Sequence, residues 1–130
     1  MATTTIARSI ARWMPESRTV PDLIDELARR FPEREALAGS GQRYTYCQLR
    51  DEVRRVARGL HALGVRRGDK VAILMGNRPE WVIADFAITL LGGVMVGVNT
   101  WAIARELEYI LGHSDSRFLI TVRRFLKHLG

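Results

Sequence analysis

The alternation of apolar and polar positions changes period several times along this chain, and each change marks an element. From Thr19 the residues Val20, Leu23, Ile24, Leu27 and Phe31 recur at helical spacing, with Pro21 in the first turn and Pro32 as the stop. Thr19 supplies the cap. Two short runs, EALAG and RYTY, meet around Ser40 and Gly41 and predict a hairpin. Thr45 then caps a longer helix whose inward stripe is Leu49, Val53, Val56, Leu60 and Leu63, with Gly64 ending it.

Residues 70–75, 94–98 and 118–122 are short, apolar and rich in β-branched side chains. The stretches between them suffice for crossover helices, one opened by Pro79 and one near Arg105. This alternation predicts adjacent parallel strands, so the fold class is α/β: a β-hairpin followed by a short β-α-β-α-β parallel sheet. Laid side by side in chain order, right-handed crossovers would put both helices on one face. The other face and the edge strand would then stay wet, which predicts a marginal chain that self-associates through its open edge.

Residues 81–100 hold a single charge, Asp85, over a length that fits a membrane span. The Gly92–Gly93 pair breaks the stretch, and the residue type shifts across it from helix-like to β-branched. No membrane span is expected, and the glycines read as close contacts between helix and strand. Residues 1–18 form an N-terminal arm in which Ile6, Ile10, Trp13 and Met14 share a helical stripe beside Arg8 and Arg12. It reads as an arm docked on its own domain, residues 19–130, with an organelle leader as the alternative. The arm lacks the continuous apolar segment of a secretory signal, and a cytoplasmic location is the expectation.

A chain of 130 residues supports one core, and 47% apolar with 26% charged residues excludes wholesale disorder. One cysteine excludes an internal disulfide framework, and with three histidines it tells against a structural zinc site. The formal charge of +6 rests on 20 basic residues, of which only Lys70 and Lys127 are lysines. Neither follows a glycine, so no Walker-type phosphate loop is present. No serine sits in a nucleophile elbow. Cys47 and His61 lie about 21 Å apart on one helix and form no dyad. His113 reads as a helix-end residue bonding the last carbonyls.

The acid pairs Asp51–Glu52 and Glu106–Glu108 read as solvated faces with local partners, such as Asp51 with Arg55. Arg54, Arg55, Arg58, Arg66 and Arg67 make the main basic patch. Without interleaved aromatics it reads as a solvated helix face, not a nucleic-acid site. Residue chemistry by itself therefore yields no catalytic, cofactor or metal site.

The segments YTYCQLRDEV and GDKVAILMGNRPEWVIADFAITLLGGVMVGVNT resemble the start of the adenylate-forming acyl-CoA synthetases, the ATP-dependent acid–CoA ligases related to luciferases and nonribosomal adenylation domains. The resemblance runs in order over residues 19–127. It takes in Tyr44–Leu49, the Gly68-Asp69-x-Val71-Ala72 strand entry and Asn77-Arg78-Pro79-Glu80-Trp81. The helix–glycine–strand unit ending at Asn99, then Glu106-Leu107-x-Tyr109-Ile110-Leu111, completes it.

The resemblance implies an enzyme that joins a carboxylate to the AMP of ATP and passes the acyl group to CoA. A carboxylate attacking a polyanion needs its charge neutralised, which the family does with a Pro-Lys-Gly loop, Mg²⁺ and a further lysine. The matched region precedes that loop, so the chain reads as a partial N-terminal domain, truncated and not expected to catalyse alone. ATP, Mg²⁺ and CoA are implied for the whole ligase and none for this chain. A fatty-acid or carnitine-type acid is the expected substrate. The alternative is a noncatalytic remnant acting as an interaction module.

Many relatives read Asn-Pro-Arg-Leu after this strand, where the arginine can reach CoA phosphate in some members, whereas this chain reads Asn99-Thr100-Trp101-Ala102. Asn99 and Trp101 are the candidates for one wall of an acyl or CoA channel. Ile103 takes the place where relatives often put a capping Ser or Thr, and RRFLKHLG departs from the longer helix expected there. The expected partners are the remainder of the ligase or a second copy on the sheet edge.

Overall fold

The computed structural model describes residues 14–129. The chain opens with helix α1 (Val20–Arg30), the hairpin strands β1 (Glu35–Gly39) and β2 (Gln42–Thr45), and helix α2 (Tyr46–Ala62). Strand β3 (Lys70–Leu74), helix α3 (Pro79–Leu90), strand β4 (Val94–Gly97), helix α4 (Ala104–His113) and strand β5 (Phe118–Thr121) follow. A 3-10 helix over Arg123–His128 ends the described chain, where the sequence departs from the longer helix of the family. The three predicted parallel strands are present, each one residue shorter, and the hairpin strands fall where EALAG and RYTY placed them to within one residue. The stripe of Ile6, Ile10 and Trp13 lies outside the described residues.

Local signals explain the helix ends. Thr19 accepts the Asp22 N–H, and Thr45 with Gln48 completes a capping box. At the end of α2, Gly64 takes φ +105°, its N–H donates to the His61 carbonyl, and the Val65 N–H donates to that of Leu60. This left-handed turn reverses the chain so that Val65, not Leu63, enters the core. Leu63, assigned to the inward stripe, is exposed, and Ala57 takes the buried place instead. The hairpin turns on Ser40 and Gly41, both at positive φ, the conformation a two-residue turn needs to match strand twist.

The parallel sheet runs β4-β3-β5, not in chain order. Because β5 pairs on the far side of β3, the α4 crossover must pass back over the sheet. The two crossover helices accordingly lie on opposite faces, which corrects the one-face expectation. Val71, Ile73 and Met75 pack with α1, α2 and α3 in the larger core. Ala72 and Leu74 point the other way and pack with Val98, Leu107 of α4 and Phe125. Both faces are therefore covered, and the wet surface expected on the sheet is confined to its edges, as at Val94. Among the described residues no helix is long and apolar enough to cross a membrane.

Helix α4 starts without a side-chain cap, because Ile103 cannot accept a hydrogen bond. Its own N–H already donates to Glu106 Oε2 at 3.1 Å, so half of a capping box exists. The substitution Ile103→Ser is expected to complete the box and raise stability by about 1 kcal/mol. Urea titration should show a higher midpoint at unchanged slope; an equal or lower midpoint refutes it.

Candidate functional site

Parallel strands align their carboxyl ends along one edge, and here the connections leaving that edge diverge. The link from β3 goes to the face of α3, and the link from β4 goes to the face of α4. Such a divergence opens a crevice outside the strand ends, where α/β sheets place ligands. The loop after β4 fills this position. Asn99 Oδ1 accepts the Trp101 N–H at 3.0 Å, and the Asn99 carbonyl accepts the Ala102 N–H at 3.1 Å. The asparagine thus folds a tight turn, and the turn holds Trp101 out with 88% of its surface exposed.

Two grooves meet at this indole. One, of about 860 Å³, is lined by Asn99, Trp101, Ile103, Arg105 and Tyr109 among others. The other, of about 340 Å³, runs between Thr100, Trp101, Arg124, Phe125 and Lys127. Arg124 lies over the Phe125 ring at 4.6 Å, and its Nη2 sits 3.0 Å from where a Cβ on Gly76 would stand. Glycine after β3 therefore makes room for the guanidinium. Arg124 and Lys127 pair with no carboxylate among the described residues, so this groove suits a phosphate or another anion.

The residues fit an ATP site less well. Lys70 opens β3, at the opposite edge of the sheet, and faces Asp115 at 3.6 Å. Among the described residues no three His, Cys, Asp or Glu side chains gather as they would around a metal ion. Cys47 is half-buried with its Sγ 3.3 Å from Arg50 Nη2, and His61 is exposed. His113 stacks on Tyr109 at 5.3 Å. Arg55 pairs with Glu52, one turn away, while Asp51 pairs with its neighbour Arg50, which corrects the expected Asp51–Arg55 pair.

One charged group escaped the sequence reading. Glu26, on the inner side of α1, is only 4% exposed. Its carboxylate accepts the Glu16 N–H at 3.0 Å, the Ser17 N–H at 2.7 Å, the Ser17 hydroxyl, and Arg30 Nη1 at 2.6 Å. Arg30 also donates to the Met14 carbonyl at 3.0 Å. Led by the Ser17 hydroxyl and the Glu16 amide, these donors hold the carboxyl pKa down to about 2 against the opposing effect of burial. Residues 14–17 are pinned to α1 by this cluster. Elsewhere, Asp69 is held below the usual carboxylate range by the Arg66 N–H and then by Arg117, and burial pushes Asp85 up.

A sheet wound on both faces, with grooves outside its diverging carboxyl edge, is an α/β layer of the kind that places ligands at such a crevice. The sequence profile of the AMP-binding enzymes matches residues 24–129, and the chain belongs to that family as an N-terminal segment of the adenylate-forming acyl-CoA synthetases. It is 40% identical over 89 residues to the acyl-CoA ligase sidI of Aspergillus fumigatus, covering 68% of this chain and 15% of that one. To the crotonobetaine/carnitine–CoA ligase of Shigella flexneri it is 34% identical over 106 residues, covering 78% and 20%. Its fold matches the inhibitor-bound N-terminal domain of FACL13 from Mycobacterium tuberculosis with a TM-score of 0.83 and 30% identity, covering 87% of this chain and 29% of that one. The chain spans about a fifth of the length of the curated relatives it matches.

Proposed function

We propose that this chain is the opening layer of an ATP-dependent acid–CoA ligase of fatty-acid or carnitine type, in which Asn99 and Trp101 form one wall of the acyl or CoA channel. The observation that carries this reading is Trp101, a fully presented aromatic held by the Asn99 turn between two grooves at the diverging sheet edge. Tryptophan so exposed gains nothing for the core described here, so its role lies in contact with something outside that core. Arg124 and Lys127 supply positive charge at the same edge, where many relatives carry an arginine in the loop itself. They suit a phosphate of CoA.

In this reading the reaction joins a carboxylate to AMP and then transfers the acyl group to the CoA thiol. This chain contributes scaffold and channel wall; the remainder of a ligase, its partner in the cytoplasm, supplies the phosphate loop and catalytic lysine. A role as an interaction module is favoured by one separate observation, the open β4 edge with Val94 49% exposed, on which a second copy can add a strand.

Titration with CoA, read by tryptophan emission, tests the channel wall. Quenching at roughly millimolar CoA is expected in the native chain and absent in Trp101→Phe. Equal quenching in that variant refutes the assignment. The chain alone is expected to give no acid-dependent exchange of pyrophosphate into ATP, since neither lysine stands in a phosphate loop. Exchange that tracks the chain through purification overturns that part.

A further inference from the structure

Helices α2 and α3 leave a groove of about 560 Å³ between their outer faces, lined by Arg54, Ala57, Arg58, His61, Leu90 and Leu91. It lies on the helical layer, away from the sheet edge of the proposed channel. Arg54, Arg58 and His61 follow one another at i, i+4 and i+7, so they form one exposed stripe about 10 Å long. Among the described residues, Asp25 of α1 pairs with Arg54 at 2.8 Å, and no carboxylate pairs with Arg58. The floor is apolar: Ala57 is buried, Leu91 half-buried, and Leu90 36% exposed.

We infer that this groove seats an acidic amphipathic helix of a partner protein, its leucine-type side chains on Leu90 and Leu91 and its carboxylates along Arg54, Arg58 and His61. Two features select this occupant. The cations are spread over two helical turns, whereas a single headgroup needs them to converge on one point. A nucleic acid would leave the apolar floor unused and finds no aromatic side chain here on which to stack a base. Apolar anchors at i, i+3 and i+4, flanked by acids, satisfy both the floor and the rim.

The test uses the whole chain and a synthetic helical peptide of about 14 residues, roughly 21 Å long, with leucines on one face and glutamates on either side. Fluorescence anisotropy is expected to show binding that weakens as salt rises from about 0.05 M to about 0.3 M. Arg58→Glu and Leu90→Ser should each weaken it roughly tenfold, with circular dichroism confirming that both variants fold. A peptide with glutamine for glutamate should fail to bind. Arg58→Gln, which removes charge without reversing it, should fall between native and Arg58→Glu. No binding of the acidic peptide overturns the inference, as does binding indifferent to Leu90→Ser. Capture by phosphatidylserine vesicles that depends on Arg58 but not on Leu90 would also overturn it, in favour of a flat anionic surface.

Discussion

Replacing Gly93 with alanine is expected to destabilise the chain by about 3 kcal/mol, a large part of a margin of roughly 5–15 kcal/mol. A Cβ at this position would stand 2.9 Å from Ile88 Cγ2, 3.1 Å from the Ile88 carbonyl oxygen and 3.2 Å from that of Asp69. None of the three can yield cheaply. Ile88 is fully buried, its carbonyl accepts the Gly93 N–H, and the Asp69 carbonyl accepts the Val94 N–H at 2.8 Å. Relief would require moving α3 off the sheet. Gly92 provides the comparison: at φ +72° a side chain carries about 1 kcal/mol of backbone strain, and its Cβ would stand 3.0 Å from Arg67 Cγ, on an exposed residue that can shift, so Gly92→Ala should cost less than Gly93→Ala. Urea denaturation of both variants decides the matter. A Gly93→Ala loss below about 0.5 kcal/mol would show that α3 and the sheet are less tightly seated than these distances require.

Acid should release residues 14–17 from α1 before the core melts. Unfolded, the Glu26 carboxyl titrates near its ordinary 4.5; folded, near 2. Between those values Glu26 takes up a proton once the arm is released and refuses it while the arm is bound, so the contact is at full strength above pH 4.5 and fades as pH falls toward 2. Glu26→Gln should remove this dependence and loosen the arm at every pH, because an amide cannot accept from four donors as a carboxylate does. Hydrogen exchange at the Glu16 and Ser17 amides reads the effect directly. Equal protection of these amides in native and variant chains at neutral pH would refute it.

The contrast between Gly93 and Glu26 shows what the sequence reveals and what it hides. Gly92–Gly93 interrupts an apolar run, and Thr45 with Gln48 and Gly64 likewise announce themselves to near neighbours; the caps work within a few residues of themselves, and Gly93 works against Ile88, five positions back, as well as the distant Asp69 carbonyl. Glu26 answers to backbone amides ten positions earlier, and an amide leaves no mark on the sequence. Of its partners, Arg30 one turn on is readable from the sequence. Sheet order was hidden for another reason: three short apolar strands look alike, and periodicity records burial, not adjacency. The unbroken run KVAILM, buried from Val71 to Met75, was nonetheless the trace of a central strand. Around the crevice, Trp101 was legible as a departure from the family pattern, beside Asn99, which keeps it. Arg124 was passed over because its basic run reads as a terminus until β5 brings it beside β3.

That central strand also bears on how the chain assembles. Lys70 pairs with Val94, whereas the Thr121 hydroxyl must find the Leu74 carbonyl across 47 positions. Doubling a loop adds only about 0.6 kcal/mol to its closure entropy, too little to set an order by itself. What separates the two events is the surface each one captures: α3 brings β4 onto a core already shared with α1 and α2, while β5 joins a thinner cluster around Leu107 and Phe125. The β3–α3–β4 unit is therefore the nucleus expected during synthesis and refolding, with β5 arriving late as a zip along an edge that stays open until then. Mutations in β4 should slow folding, and mutations in β5 should chiefly speed unfolding, a split that stopped-flow chevrons resolve.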